Sequence, residues 1–345
     1  MGKRSRPIAL AKGSPEGEPL YTTALGSFFL GDSLKLMKNL EDESVDLVVT
    51  SPPFALLREK EYGNKDQSDY VSWLCQFGRE VLRTLKPSGS FVLDLGGAYQ
   101  RGVPVRSLYN FEVLLRLCKE ERFFLAEEFF WYNPAKLPSP IEWVNKRKIR
   151  AKDAVNTIWW LSKTEYPKAN VSNVLAPYSK RMQLLLKDAK KFYTPKDRPS
   201  GHGISASFDK DNGGSIPSNL LQIPNTESNS SYIRLAKEFD LKVHPARFPK
   251  ALPDFFIRFL TEPGDTVLDI FAGSNTTGES AEENNRRWMS FEIEKDYAIA
   301  SALRFMDDWP ANRVRDAVKQ MEDGFRLPAA ILPLQPALLS SLVGQ

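Results

Sequence analysis

The sequence predicts an α/β fold: a mostly parallel sheet with one antiparallel strand and a loop-rich insertion. Three observations carry this. Short apolar or β-branched runs, among them VDLVVT (45–50), SFVLDL (90–95) and TVLDI (266–270), alternate with segments of helical spacing. That alternation is the pattern of strands joined by crossover helices. Between Thr164 and Val243 the periodicity fails and Ser, Asn, Pro, Gly and Lys dominate; regular texture then resumes. A length of 345 residues suits two modest domains, or one large α/β domain carrying such an insertion.

The elements follow in order. Residues 27–30 form a short apolar run closed by Gly31 and Asp32, and 45–50 read as a buried strand stopped by Ser51-Pro52-Pro53. Val71, Leu74, Phe77 and Val81 give 70–85 helical spacing, and Lys86-Pro87-Ser88-Gly89 stops that helix before a strand at 90–95. A helix at 111–118 and a strand at 123–132 come next. A basic, proline-punctuated connection (133–150) leads to a strand at 155–162, antiparallel to the one before it. Inside the insertion, 181–191 and 232–239 read as helices. Beyond it come a helix at 252–260, a turn at 262–265, a strand at 266–270, a helix continuing through 280–284, a strand at 288–293 and a helix at 296–305.

Composition removes several function classes. Two cysteines, Cys75 and Cys118, exclude a disulfide framework, and two histidines make a His-rich metal site an unsuitable reading, so no metal is expected. No apolar run approaches about 18 residues, so no membrane span is expected. Residues 1–12 are basic and lack the apolar core of a signal peptide, which points to the cytoplasm. The net charge is only +4. It is unevenly spread: residues 133–198 hold 15 Lys and Arg against 5 Asp and Glu, a net +10, which leaves −6 for the rest. Trp131, Tyr132, Trp143, Trp159 and Trp160 lie in or beside this basic stretch. Basic groups among aromatics suit a surface that tracks phosphates and stacks bases, although 157–161 reads as core strand.

Two turns carry chemistry. The first, Phe271-Ala272-Gly273-Ser274-Asn275-Thr276-Thr277-Gly278, follows a buried strand and opens a helix. Such turns bind nucleotide-like ligands at the carboxyl end of a sheet. Glu292 ends the next strand, 19 residues after Gly273, where a carboxylate accepts ribose hydroxyls. An ATP-binding P-loop is rejected because Glu279 stands where its lysine must be, and Ser274-Asn275 breaks the GxGxxG that NAD prefers. S-adenosylmethionine (AdoMet), which has no phosphates, fits best, with Asp32 placed to receive the adenine amino group. The second turn, Ser51-Pro52-Pro53-Phe54, ends another buried strand. Prolines lack an N–H, so carbonyls there face a cleft with no local donor to satisfy them. With the Ser51 hydroxyl as acceptor and the Phe54 ring as a stacking face, the turn suits a planar heterocycle carrying an exocyclic amine. In-plane acceptors hold that nitrogen as it becomes tetrahedral and aims its lone pair at a methyl group.

These residues resemble the amino-methylating DNA methyltransferases of the β class. In that class the S/D/N-P-P-F/Y motif comes first, then a target-recognition region, then the F-x-G cofactor motif. The same order runs here from Ser51 through the insertion to Phe271, and the resemblance covers about 21–305. The fold implied is the Rossmann-like AdoMet-dependent methyltransferase sheet. Expected organisation is a flexible basic stretch (1–20), a catalytic subdomain (21–163), a target-recognition region (164–243), an AdoMet-binding subdomain (244–310) and a C-terminal tail (311–345). The resemblance implies that Ser51, Pro52, Pro53 and Phe54 hold a flipped base. Phe271, Gly273, Ser274 and Asn275 line the methionine side of AdoMet, and Asp269 reaches its amino group through water. Glu292 binds the ribose, Asp32 the adenine, and His244 and Phe248 border the pocket. It implies double-stranded DNA as partner, with a base extruded from the duplex. Lys146, Arg147, Lys148 and Arg150 are the candidate phosphate contacts, and Arg198 and His202 the candidate readers of sequence. Serine at position 51 is typical of cytosine N4 enzymes, and the resemblance implies N4 methylation within a short palindrome, CAGCTG if specificity follows it. A restriction endonuclease would be the functional partner. An adenine N6 enzyme of the same fold, and a non-catalytic DNA-binding protein, are the alternatives.

Overall fold

Side chains alternate across a strand, and this period of two divides the apolar residues between two cores. The computed structural model of the chain describes residues 17–54, 67–188, 210–226, 230–327 and 330–331. In chain order these form β1 (Tyr21–Thr22), β2 (Gly26–Leu30), α1 (Ser33–Met37), β3 (Val45–Thr50), α2 (Gln67–Thr84), β4 (Leu85–Leu95), α3 (Tyr109–Lys119), β5 (Phe124–Tyr132) and β6 (Val155–Ser162). Then come α4 (Lys180–Lys187), β7 (Leu220–Gln222), α5 (Ser231–Glu238), α6 (Ala251–Leu260), β8 (Thr266–Asp269), α7 (Thr276–Glu283), β9 (Arg287–Glu292), α8 (Lys295–Ser301) and α9 (Ala311–Glu322). Phe28, Leu47, Val49, Val92, Trp160 and Val267 face one side of the sheet, covered by α5, α6, α8 and α9. Their neighbours Phe29, Val48, Phe91, Leu93, Trp159 and Leu268 face the other, covered by α1, α2 and α3.

The sheet order is β1-β2-β9-β8-β3-β4-β6-β5-β7. Strands β2, β9, β8, β3 and β4 pair in parallel. Strand β6 lies antiparallel to both β4 and β5, as the sequence predicts, and the two-residue β1 adds a further antiparallel pairing at the edge. From β3 the chain crosses through α2 to β4 on one side, while from β8 it crosses through α7 to β9 on the other. The carboxyl ends of β3 and β8 thus form a topological switch point, where open α/β sheets bind ligands.

Two differences from the sequence reading have physical causes. Lys86–Gly89 do not separate α2 from the next strand; they belong to β4, because pairing with β3 starts at Val45–Leu85 and shifts before Leu47–Ser90. The extra residues are an irregularity within the strand. Trp159 and Trp160 are buried, as the core strand read at 157–161 requires, and Trp131 is buried as well. Residues 311–322, expected as part of a tail, form α9, whose Val314, Ala317, Val318 and Met321 share one buried helical face.

The chain divides into two units, 1–168 with 219–345, and 169–218. The smaller one holds α4 and a turn tied by its own contacts. Ala176 bridges Ser215, the Tyr178 hydroxyl donates to Asp211 Oδ1 (3.0 Å), and Asp211 accepts from the Gly213 N–H (2.8 Å). Among the described residues no helix is long and apolar enough to cross a membrane.

Candidate active site

A cavity of about 710 Å³ opens at the switch point. Both turns singled out in the sequence line it: Ser51, Pro52, Pro53 and Phe54 from β3, and Phe271, Gly273 and Ser274 after β8. Asp32, His244, Phe248 and Glu292 line it as well.

On the β3 side, the Ser51 hydroxyl donates to Asp94 Oδ2 at 3.0 Å. Asp94 sits at the carboxyl end of β4, 5% exposed, and its Oδ1 accepts from Asn156 Nδ2 at 3.3 Å. Burial pushes its pKa up to about 6, against the opposing pull of Ser51, Asn156 and the charge of Lys136. Asp94, Asn156 and Lys136 also line the cavity, and sequence reasoning missed all three. One signal for Asp94 was on the page: a lone charge inside the apolar run SFVLDL, at a strand's carboxyl end. Its partnership with Ser51 needed the β3–β4 pairing. Phe54 owes its place to Gly96: a Cβ there would stand 2.4 Å from the Phe54 ring. Gly96→Ala is therefore expected to displace the ring and lower turnover by roughly tenfold or more, with AdoMet affinity spared. Steady-state kinetics beside calorimetric titration checks this.

On the β8 side, the turn is held from several directions. Gly273 adopts φ +50°, and a Cβ there would lie 3.1 Å from the His244 ring. Glu292 Oε2 accepts from the Gly273 N–H (2.7 Å), while Oε1 accepts from the N–H groups of Ile293 and Glu294 (2.9 Å each). Burial raises its pKa. Buried Arg304 donates to the Ser274 carbonyl and hydroxyl and pairs with Glu279 at 2.6 Å. Phe271 packs on Phe77 and Trp73, with centroids 4.8 and 5.7 Å away. His244 meets Tyr297 edge-to-face at 4.5 Å. Asp32 caps α1, accepting from the Leu34 N–H at 2.8 Å and the Lys35 N–H at 3.4 Å, so part of its acceptor capacity is already used.

Two residues expected at the cofactor do not line the cavity. Asn275 is fully buried in the left-handed conformation (φ +58°). Its side chain accepts from the Gly278 N–H and the Ser290 hydroxyl and donates to Tyr21. It caps α7. Asn tolerates left-handed φ better than other non-glycine residues, which explains how it stands where an F-x-G-x-G motif has its second glycine. Asp269 is 1% exposed, and its oxygens accept from Thr50, Phe271 and Thr277.

The basic candidates lie outside the cavity lining. Lys146 and Arg147 both pair with Glu142 (3.2 and 3.0 Å) in a wide helical turn, Glu142–Lys146, and Arg147 also stacks over Trp143. Lys148 has φ +55°, and Arg150 donates to the Pro104 carbonyl. All four are exposed. Arg198 and His202 lie outside the described residues. Among the described residues, no group of three His, Cys, Asp or Glu is placed to hold a metal ion.

A mostly parallel α/β sheet whose Ser-Pro-Pro-Phe turn and glycine turn share one cavity is the arrangement expected of a methylase of amino groups on DNA. The family model described as DNA methylase matches residues 45–302, and the chain belongs to that family. Among its relatives is the Type II methyltransferase M.PvuII of Proteus hauseri, 62% identical over 291 residues, 84% of this chain and 87% of that protein. The Type II methyltransferase M.BglII of Bacillus subtilis is 26% identical, over 79% of this chain and 67% of that protein. The solved structure titled PvuII DNA methyltransferase (cytosine-N4-specific) superposes with a TM-score of 0.73 at 51% identity, over 89% of this chain and 96% of that one.

Proposed function

We propose that this chain transfers a methyl group from AdoMet to the N4 amino group of cytosine in duplex DNA, within a short palindrome, CAGCTG. The observation that carries the chemistry is the Ser51–Asp94 hydrogen bond in the cavity that Gly273 and Glu292 also line. The 51% identity to the solved structure titled cytosine-N4-specific favours cytosine N4 over adenine N6, and the 62% identity to M.PvuII supports the site.

The residues of the glycine turn fit the cofactor. A φ of +50° with no Cβ leaves the backbone of Gly273 open beside His244, and the Glu292 carboxylate suits ribose hydroxyls at a strand end. Phe271, Gly273 and Ser274 would hold the methionine part, Glu292 the ribose, Asp32 the adenine, and His244 and Phe248 the flanks. When bound, AdoMet supplies an electrophilic methyl group on a sulfonium.

The rest falls to the chain. Phe54 offers a face for the extruded ring, and the carbonyls of the proline turn accept the amine hydrogens. Ser51 has its own proton directed at Asp94, so its lone pairs face the amine. As nitrogen takes the methyl group, becomes tetrahedral and gains positive charge, Asp94 stabilises that charge; the amine proton passes to the Ser51 oxygen as the Ser51 proton passes to Asp94, which leaves the product amine neutral. No covalent intermediate with the enzyme is needed. Lys146, Arg147, Lys148 and Arg150 are proposed to position the duplex by its phosphates, and Arg198 and His202 to read its sequence. The proposed domain roles keep 164–243 as the target-recognition region.

Tritiated AdoMet is expected to label CAGCTG duplex, with the label recovered as N4-methylcytosine after digestion. Recovery as N6-methyladenine would overturn the base, and DNA binding with no label would overturn the enzyme. The functional partner we infer is an endonuclease of the same specificity, needing no physical contact. Plasmid carrying this gene is then expected to resist an endonuclease that cuts CAGCTG; complete cutting would refute the pairing.

A further inference from the structure

Strands β3 and β8 are neighbours whose chains depart in opposite directions, which opens the crevice between the two turns. Backbone pairing between them holds Leu47 to Val267 and Val48 to Leu268. At the carboxyl ends a side-chain bond takes over: the Thr50 hydroxyl donates to Asp269 Oδ1 at 2.7 Å. The same oxygen accepts from the Phe271 N–H at 3.1 Å, and Oδ2 accepts from the Thr277 hydroxyl at 2.6 Å. Thr50, Asp269 and Thr277 are each 1% exposed. Among the described residues no Lys or Arg acts on this carboxylate. A buried carboxylate with no counter-ion is costly unless its oxygens are well supplied with donors.

Each donor belongs to one half of the site. Thr50 directly precedes Ser51 in the base-holding turn. Phe271 lines the cavity on the cofactor side. Thr277 is in the first turn of α7, just past Gly273 and Ser274.

We propose that Asp269 is a positioning residue that ties the cofactor turn to the base-holding turn and so sets the distance between methyl donor and amine. The proposal rests on the methyltransferase reading. Its physical content is alignment: a misplacement of about 1 Å between reacting groups lowers a rate by roughly a hundredfold. Asp269 touches neither ligand and acts through Thr50 on one side and through Phe271 and Thr277 on the other.

The two arms separate by substitution. Three quantities are measured: the AdoMet Kd by calorimetry without DNA, capture of 2-aminopurine placed at the target position by its fluorescence, and the single-turnover methylation rate. Thr50→Val is expected to lower base capture and the rate by about tenfold or more, with the AdoMet Kd within about twofold. Thr277→Val is expected to raise the AdoMet Kd by about tenfold, and Asp269→Asn to do both. In an Asp269→Asn background, Thr50→Val is expected to add little, because the bond is already altered. Thr50→Ser keeps the hydroxyl and is expected to recover most of the rate; Thr50→Ala replaces Thr50→Val where the latter misfolds. A wild-type rate in the variant lacking the hydroxyl overturns the proposal. So do equal changes in Kd and rate that track a drop in melting temperature, which mark general loosening. A wild-type protein that makes no N4-methylcytosine refutes the reaction instead, and the AdoMet and 2-aminopurine measurements still decide the role of Asp269.

Discussion

Ser51→Ala is expected to lower the methylation rate by about a hundredfold or more while leaving the AdoMet Kd within about twofold. The hydroxyl is a proposed acceptor for the amine, and its orientation is set by the 3.0 Å bond to Asp94. Losing it removes an interaction that strengthens as the nitrogen gains charge, so kcat falls more than KM rises. The glycine turn is held by Glu292 and Arg304, so the cofactor half is left intact. Pre-steady-state methylation beside calorimetric titration checks this. Equal losses in rate and AdoMet affinity would show that the turn acts only as scaffold.

Asp94→Asn is expected to do two opposite things: cut the rate by about tenfold to a hundredfold and stabilise the fold. The first follows because a neutral amide no longer stabilises positive charge at the amine or takes up the proton relayed by Ser51. The second follows from the pKa, about 6 in the folded protein against an ordinary 3.8. The folded state binds more protons between these values, so the Asp94 contribution to stability falls as pH rises from below 4 through 6. Above pH 6 the buried charge costs about 2–3 kcal/mol, which Asn removes. Melting of the two proteins at pH 8 is expected to differ by several degrees in favour of Asp94→Asn, and the difference to shrink toward pH 4. The sign reverses for activity: the wild-type rate falls as pH drops through about 6 and Asp94 becomes protonated. A pH-independent difference in melting, or a wild-type rate flat from pH 5 to 8, would remove Asp94 from this role.

Much of the fold was legible in the sequence because strands buried on both faces write continuous apolar runs. VDLVVT, SFVLDL and the TVLD of TVLDI all lie in strands, and the shift from Phe28 to Phe29 or Trp159 to Trp160 between cores is a strand period. The irregularity at 86–89 was not legible, since Lys-Pro-Ser-Gly reads as a stop wherever it occurs and only pairing with β3 makes it part of a strand. Helix α9 was hidden by the Ala, Leu and Pro composition that follows it.

By itself the sequence determined which residue types sit at the ends of which strands: a Ser-Pro-Pro-Phe turn, a glycine turn, and an acid 19 residues further on. These are local matters, set by prolines without N–H groups, by a glycine free to take positive φ, and by apolar runs that demand burial. Tertiary structure decided which side chains meet. The meeting of Ser51 with Asp94, 43 residues apart, depends on β3 lying beside β4, and that of Thr50 with Asp269, 219 apart, on β3 lying beside β8. Burial then settled the roles of the acids. Asp269, 1% exposed and away from the cavity lining, is left to hold Thr50, Phe271 and Thr277, whereas Asp94, which lines the cavity and meets Ser51, has chemistry to offer.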